Sequence, residues 1–196
     1  MSKLELRAVG GTAEQRKMCR DLVRFSLTQL MKPALYNKLS IRINIKDDYA
    51  ARENMYGVCD INDYESRGRP KRYSINVDGS MLIRPLLTTV AHELVHVKQY
   101  ATGELSFNTR TGDSFWHGKL IDDNLNYWLH PWEVEAFGWE RNLVELWIDN
   151  NHWRKKKHTK EFSWIRETSY HGEKYWRTRG NKIEAAARAK KMKNSK

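Results

Sequence analysis

Cysteine is scarce in this chain. Cys19 and Cys59 are the only two among 196 residues. That is too few for a disulfide framework, so a reducing, intracellular setting is expected. No stretch approaches the ~18 consecutive apolar residues that a membrane span needs, which excludes membrane-embedded functions from the expectation. The opening Met1-Ser2-Lys3-Leu4-Glu5-Leu6 has no apolar core of the kind a secretory signal carries. The expected location is therefore cytoplasmic, without export by a signal peptide. There is no internal repeat and no visible DNA-binding motif. What remains is 40% hydrophobic and 30% charged, a balance that fits one compact domain with an appendage. Several of the eight tryptophans are expected to serve as large core pieces, since each can bury a wide apolar area.

The charge is unevenly placed. The chain carries a formal +11, yet residues 1–150 hold equal numbers of basic and acidic side chains. The whole excess falls in residues 151–196, where 15 Lys/Arg stand against four Glu. This asymmetry predicts two parts, a neutral body over 1–150 and a basic, aromatic-rich extension over 151–196. Arg154, Lys155, Lys156 and Lys157 form one basic cluster, and Arg188, Lys190, Lys191 and Lys193 another. Such clusters can contact phosphates and release counterions. The interleaved Trp164, Tyr170, Tyr175 and Trp176 can stack on bases or anchor the segment to the body. Nucleic acid or another polyanion is the partner this composition suggests. The plainer reading is a solvated tail that aids solubility.

Along the body, Thr12 and Gln15 fit a capping box opening a helix that runs to about residue 31, with Leu22, Phe25, Leu27 and Leu30 as apolar positions and Pro33 as its stop. Ile41, Ile43 and Ile45 alternate with polar residues and predict a strand buried on one face. Residues 56–61 and 72–77 read as further strands, joined by a polar turn. A long helix is expected over 80–102, with Ser80 as N-cap, Pro85 in its first turns and Gly103 as its stop. Residues 104–131 look irregular. Another helix is expected over 132–150, and an Ala/Lys/Arg helix over 182–192.

The long helix carries His92-Glu93-Leu94-Val95-His96. Two histidines at i and i+4 lie one turn apart on one face, so both imidazoles can reach a single metal ion. Zinc is the usual occupant of a His/carboxylate site. Glu93 projects beside the ligands, where it can take a proton from a metal-bound water and return it to a leaving amine. Val90, Ala91, Leu94, Val95 and Val97 make the flanks apolar, as a buried helix requires. A helix with two satisfied histidines is the bland reading.

A catalytic zinc needs a third protein ligand and one open position. Glu133 and Glu135 lie in the first turn of the following helix, roughly 200° of rotation apart, so only one can face the metal. Trp132, Ala136, Trp139, Leu143 and Trp147 form the expected apolar stripe. Glu133 lies about 60° from the direction of Ala136 and Glu135 about 100° on the other side, which favours Glu133. Ala136 is small enough to let the two helices approach. Glu135 stays open as an alternative, and so does His117 in Phe115-Trp116-His117-Gly118. His130, just before the helix, and Tyr127 are candidates to donate a hydrogen bond to a developing oxyanion.

The stretch from Ala91 to Leu105, followed by Pro131-Trp132-Glu133-Val134-Glu135-Ala136-Phe137-Gly138, resembles a group of small phage-encoded zinc metallopeptidases. The second block is similar to the glutamate-bearing helix of gluzincins, including ImmA/IrrE-like proteins, whose third ligand maps onto Glu133 and whose following alanine maps onto Ala136. Thermolysin-like enzymes place alanine directly after the ligand, which points instead to Glu135. The His117-Gly118 pair resembles the third-ligand segment of SprT-like proteases. The resemblance spans residues 70–148. It implies an α+β minimal zincin fold with a small mixed sheet, an active-site helix and a following ligand helix. It implies a zinc peptidase acting on protein or peptide, in the cytoplasm of a host cell or associated with a virion. A structural, nucleic-acid-binding protein that retains the fold is the alternative. The basic extension lies outside the resemblance.

Overall fold

The computed structural model describes residues 3–63, 69–122 and 124–150. The predicted helix over 182–192 and the basic clusters lie outside the described residues. Among the described residues no helix is long and apolar enough to cross a membrane.

The chain is mixed α and β, with four strands in one small sheet. β1 (Glu5–Gly10), β2 (Ser40–Lys46), β3 (Gly57–Ile61) and β4 (Arg72–Asp78) lie in the order β1-β2-β4-β3. β1, β2 and β4 are parallel, and β3 runs antiparallel to β4 at the edge. The alternation in β2 is read correctly, for Ile41, Ile43 and Ile45 are all buried. Ile41, Ile43 and Ile45 pair in register with Tyr73, Ile75 and Val77, so six large side chains share the face beneath the helices. The opposite face is polar and carries a hydrogen-bonded row, in which Asn44 donates to Asn76 and Asn76 donates to Asp60.

α1 (Ala13–Leu30) begins with the expected capping box, both halves of which are formed. Pro33 does not merely stop that helix. It opens the short α2 (Pro33–Tyr36), where its missing N–H costs nothing. A further short helix, α3 (Tyr49–Glu53), follows β2. β1 is an element the sequence did not signal. Leu4, Leu6 and Ala8 alternate with Glu5 and Arg7 and pack on the core, but the run is short, and the strand gains order from pairing with β2.

The long α4 (Ile83–Thr102) departs from expectation at its start. Ser80 is not its N-cap; that position falls to Leu82. Pro85 explains the shift, because a helix beginning at Ser80 would require an N–H at residue 85. Ser80 is used instead in the preceding turn, where its N–H donates to Asp78 and its hydroxyl accepts from the N–H of Asp48. Gly103 ends the helix with φ of 78°, the left-handed conformation glycine adopts without penalty. Residues 86–97 of α4 are buried without interruption. The helix lies between the sheet and α1 on one side and α5 (Pro131–Asn150) on the other. Its polar side chains are therefore enclosed and must find partners inside the protein.

Residues 104–131 look irregular in sequence, but short ordered pieces lie within them. They form a small antiparallel sheet of β5 (Leu105–Phe107), β6 (Ser114–Trp116) and β7 (Lys119–Leu120), then a 3-10 turn at Tyr127–Leu129. Strands of two or three residues are too short to leave a periodic signal. His117 and Gly118 both have positive φ, 48° and 76°, and close the β6–β7 hairpin as a two-residue turn.

Candidate metal centre

α4 presents His92 and His96 one turn apart, and their Nε2 atoms come within 3.1 Å of each other. The first turn of α5 brings Glu133 against them. Its Oε2 lies 3.2 Å from Nε2 of His92, and its Oε1 lies 3.5 Å from Nε2 of His96. One ligand atom from each of the three side chains falls within 4.8 Å of the others. Ala136, one turn beyond Glu133, is wholly buried at the helix contact, where a larger side chain would hold α5 away from α4.

The outer nitrogens are already engaged. Nδ1 of His92 lies 2.8 Å from Oε2 of Glu140, and Nδ1 of His96 lies 2.8 Å from Oε1 of Gln99. Both acceptors are oxygens, so each Nδ1 carries a proton. In a neutral ring that places the lone pair on Nε2. Phe137 meets the His92 ring edge-on at 4.7 Å and limits its rotation. The result is two imidazole lone pairs and a carboxylate converging in a buried space. Such an arrangement calls for a cation, or a shared proton, between them.

Glu133 supports this. Its Oε2 is buried without a hydrogen bond of full geometry, despite the short contact to His92. Burial pushes its carboxyl up. The contact with His92, the positive charge that the His96 and His92 rings carry when protonated and a hydrogen bond from Tyr127 outweigh this and hold it at about 2. A buried carboxylate that stays ionised, flanked by two imidazoles, is a donor set that fits a divalent metal with three protein ligands and an open position.

Glu93 is buried on the side of α4 that faces β3. A Cβ at Gly57 would come within 3.0 Å of Oε1 of Glu93 and 2.4 Å of Thr89. Glycine at that position lets the edge strand pass directly over the helix.

The other candidates go elsewhere. Glu135 points to the C-terminal half of α4, 2.6 Å from Nζ of Lys98 and 2.9 Å from Nε2 of Gln99. His117 is exposed in the β6–β7 turn, with its ring against Trp116. The ring of His130 stacks on Trp132 at 4.5 Å, while its carbonyl accepts from the N–H groups of Glu133 and Val134 at the start of α5. Tyr127 contacts the group through Glu133. Arg154, Lys155, Lys156, Lys157, Lys190 and Lys191 lie outside the described residues.

Two neighbours of the histidines carried no motif. Glu140 sits seven residues beyond Glu133, a carboxylate on the buried stripe between Ala136 and Leu143, and that placement was its signal. Gln99 sits three residues beyond His96 on the same helix. The stripe itself differs from expectation at Trp139, which is 38% exposed, while Val144 and Ile148 are buried.

Compared with known protein families, curated proteins and solved structures, the chain gives no significant match.

Proposed function

We propose that this chain is a zinc-dependent metallopeptidase with a minimal zincin fold, in which His92, His96 and Glu133 hold the metal and Glu93 is the general base. The observation that carries this reading is the convergence of three donors whose outer atoms are already committed to Glu140, Gln99 and Tyr127. The resemblance to small phage-encoded peptidases and to ImmA/IrrE-like gluzincins points the same way.

A zinc ion at this position would acidify a water and polarise a substrate carbonyl. The chain's own residues account for the rest. Glu93 takes a proton from the attacking water and passes it to the leaving amine, so that a C–O bond forms, the peptide C–N bond breaks and the proton ends on nitrogen. Enclosure of Glu93 between α4 and β3 keeps bulk water from competing for that proton. His130, at the entry to α5, is a candidate to donate to the developing oxyanion, whereas the Tyr127 hydroxyl already donates to Glu133.

The test is Glu93→Gln in the whole chain. It should retain the metal and lose peptide cleavage by at least ~100-fold, the contribution expected of general acid–base catalysis. Cleavage at the parent rate by this variant sinks the assignment.

One observation favours a further role beside this one. The neutral balance of residues 1–150 against the basic excess in 151–196 suits a peptidase recruited to nucleic acid or another polyanion. Replacing Lys155, Lys156 and Lys157 by Gln should weaken DNA binding and flatten its salt dependence by roughly one unit of slope per lost phosphate contact. Unchanged binding would assign the polyanion contact elsewhere.

A further inference from the structure

We propose that Glu135 and Gln99 form a positioning relay that decides which nitrogen of His96 faces the metal group. The inference rests on the metal reading above and concerns how that site is held in register.

The amide of Gln99 is wholly buried. Its Nε2 donates to the carbonyl of Trp132 at 2.8 Å and to Oε2 of Glu135 at 2.9 Å. Both partners only accept. Rotating the amide by half a turn would set an oxygen against two acceptors, which is unfavourable in a buried space. Oε1 is therefore the end that meets Nδ1 of His96, at 2.8 Å. An acceptor at Nδ1 holds the proton there and leaves the lone pair of His96 on Nε2, beside Glu133.

Glu135 is itself held. Lys98 donates to it at 2.6 Å and to Glu104 at 2.5 Å. The chain of contacts runs from Glu104 through Lys98, Glu135 and Gln99 to His96.

The relay also ties two helices together at the point that matters. Trp132 and Glu135 lie on either side of Glu133 at the start of α5, whereas Gln99 and Lys98 belong to α4. The contact that orients His96 thus also seats the turn carrying Glu133. His92 is served differently, by a carboxylate acting directly. On sequence grounds Glu135 rivals Glu133 as a metal ligand. In the fold it becomes a positioning residue that reaches the metal group only through Gln99.

The experiment compares the full chain with Glu135→Ala, Gln99→Leu and the control Glu104→Ala. Two readouts are taken. Zinc affinity is measured by competition with a chromophoric chelator. The His96 tautomer is read from imidazole ¹⁵N shifts of the metal-free protein in alkaline buffer. The expected result for Glu135→Ala and Gln99→Leu is zinc affinity weaker by about 10–100-fold, with His96 moving from the Nδ1–H form to a mixture. Glu104→Ala should change both readouts less than either. If Gln99→Leu does not fold, Glu135→Ala decides, since Glu135 is partly exposed and its truncation is tolerated more easily. A Glu135→Ala protein that keeps the parent tautomer overturns the relay. Should the parent chain bind no zinc, the metal reading fails on its own, and the tautomer in the metal-free protein still decides the relay.

Discussion

Glu140 accepts the Nδ1 proton of His92 at 2.8 Å from a position two turns beyond Glu133 on the same helix. One face of α5 therefore supplies both the carboxylate that meets His92 and His96 and the group that aims the first histidine. Glu140 is 3% exposed and Glu133 5%, so neither carboxylate is there for solubility.

Replacing Glu140 by Gln tests that pairing. The amide keeps the shape but is a weaker acceptor than a carboxylate. Metal affinity should fall by about 10–100-fold, read by chelator competition, with secondary structure unchanged by circular dichroism. An affinity equal to the parent's would show that His92 needs no such partner.

Ala136 sets the separation of α4 and α5. Leucine in its place would overpack a wholly buried contact and cost about 1–3 kcal/mol in unfolding free energy, visible as a lower denaturant midpoint. Zinc binding should weaken with it, because Glu133 is carried on the same turn. A stable Ala136→Leu protein with full zinc affinity would contradict the close approach of the two helices.

Cys19 is wholly buried in α1. Burial pushes its thiol from an ordinary 9.0 up to about 12, against smaller lowering effects of Arg20 and a backbone hydrogen bond. Because the folded value is raised, the contribution to stability is intact below pH 9 and is lost as pH rises from there towards 12. The native thiol should resist alkylation at pH values where the unfolded chain reacts readily. Fast labelling of Cys19 in the folded protein, located by mass spectrometry, would show that the site opens.

Much of the His92, His96 and Glu133 cluster was legible because its geometry is tied to helical spacing. His92 and His96 are one turn apart, and the rotation between Glu133 and Glu135 separates a donor facing the histidines from one facing Lys98. The capping box at Thr12 and Gln15 was legible for the same reason, since both halves lie within one turn. What escaped depends on contacts between distant segments. Glu140 and Gln99 acquire their partners only when α4 and α5 meet. β1 is ordered by β2, and the short β5–β7 strands by each other. Ser80 looked like a cap because its residue type is favoured there, but the missing N–H of Pro85 moved the helix start beyond it.

The central claim is that His92, His96 and Glu133 together hold a zinc ion. Metal analysis of the parent chain and of Glu133→Ala tests it most directly. The parent should carry about one zinc per chain, the stoichiometry of a single site with three protein ligands, and Glu133→Ala should lose it. A parent chain free of zinc after saturation, or a Glu133→Ala variant that binds it as tightly, would contradict the claim.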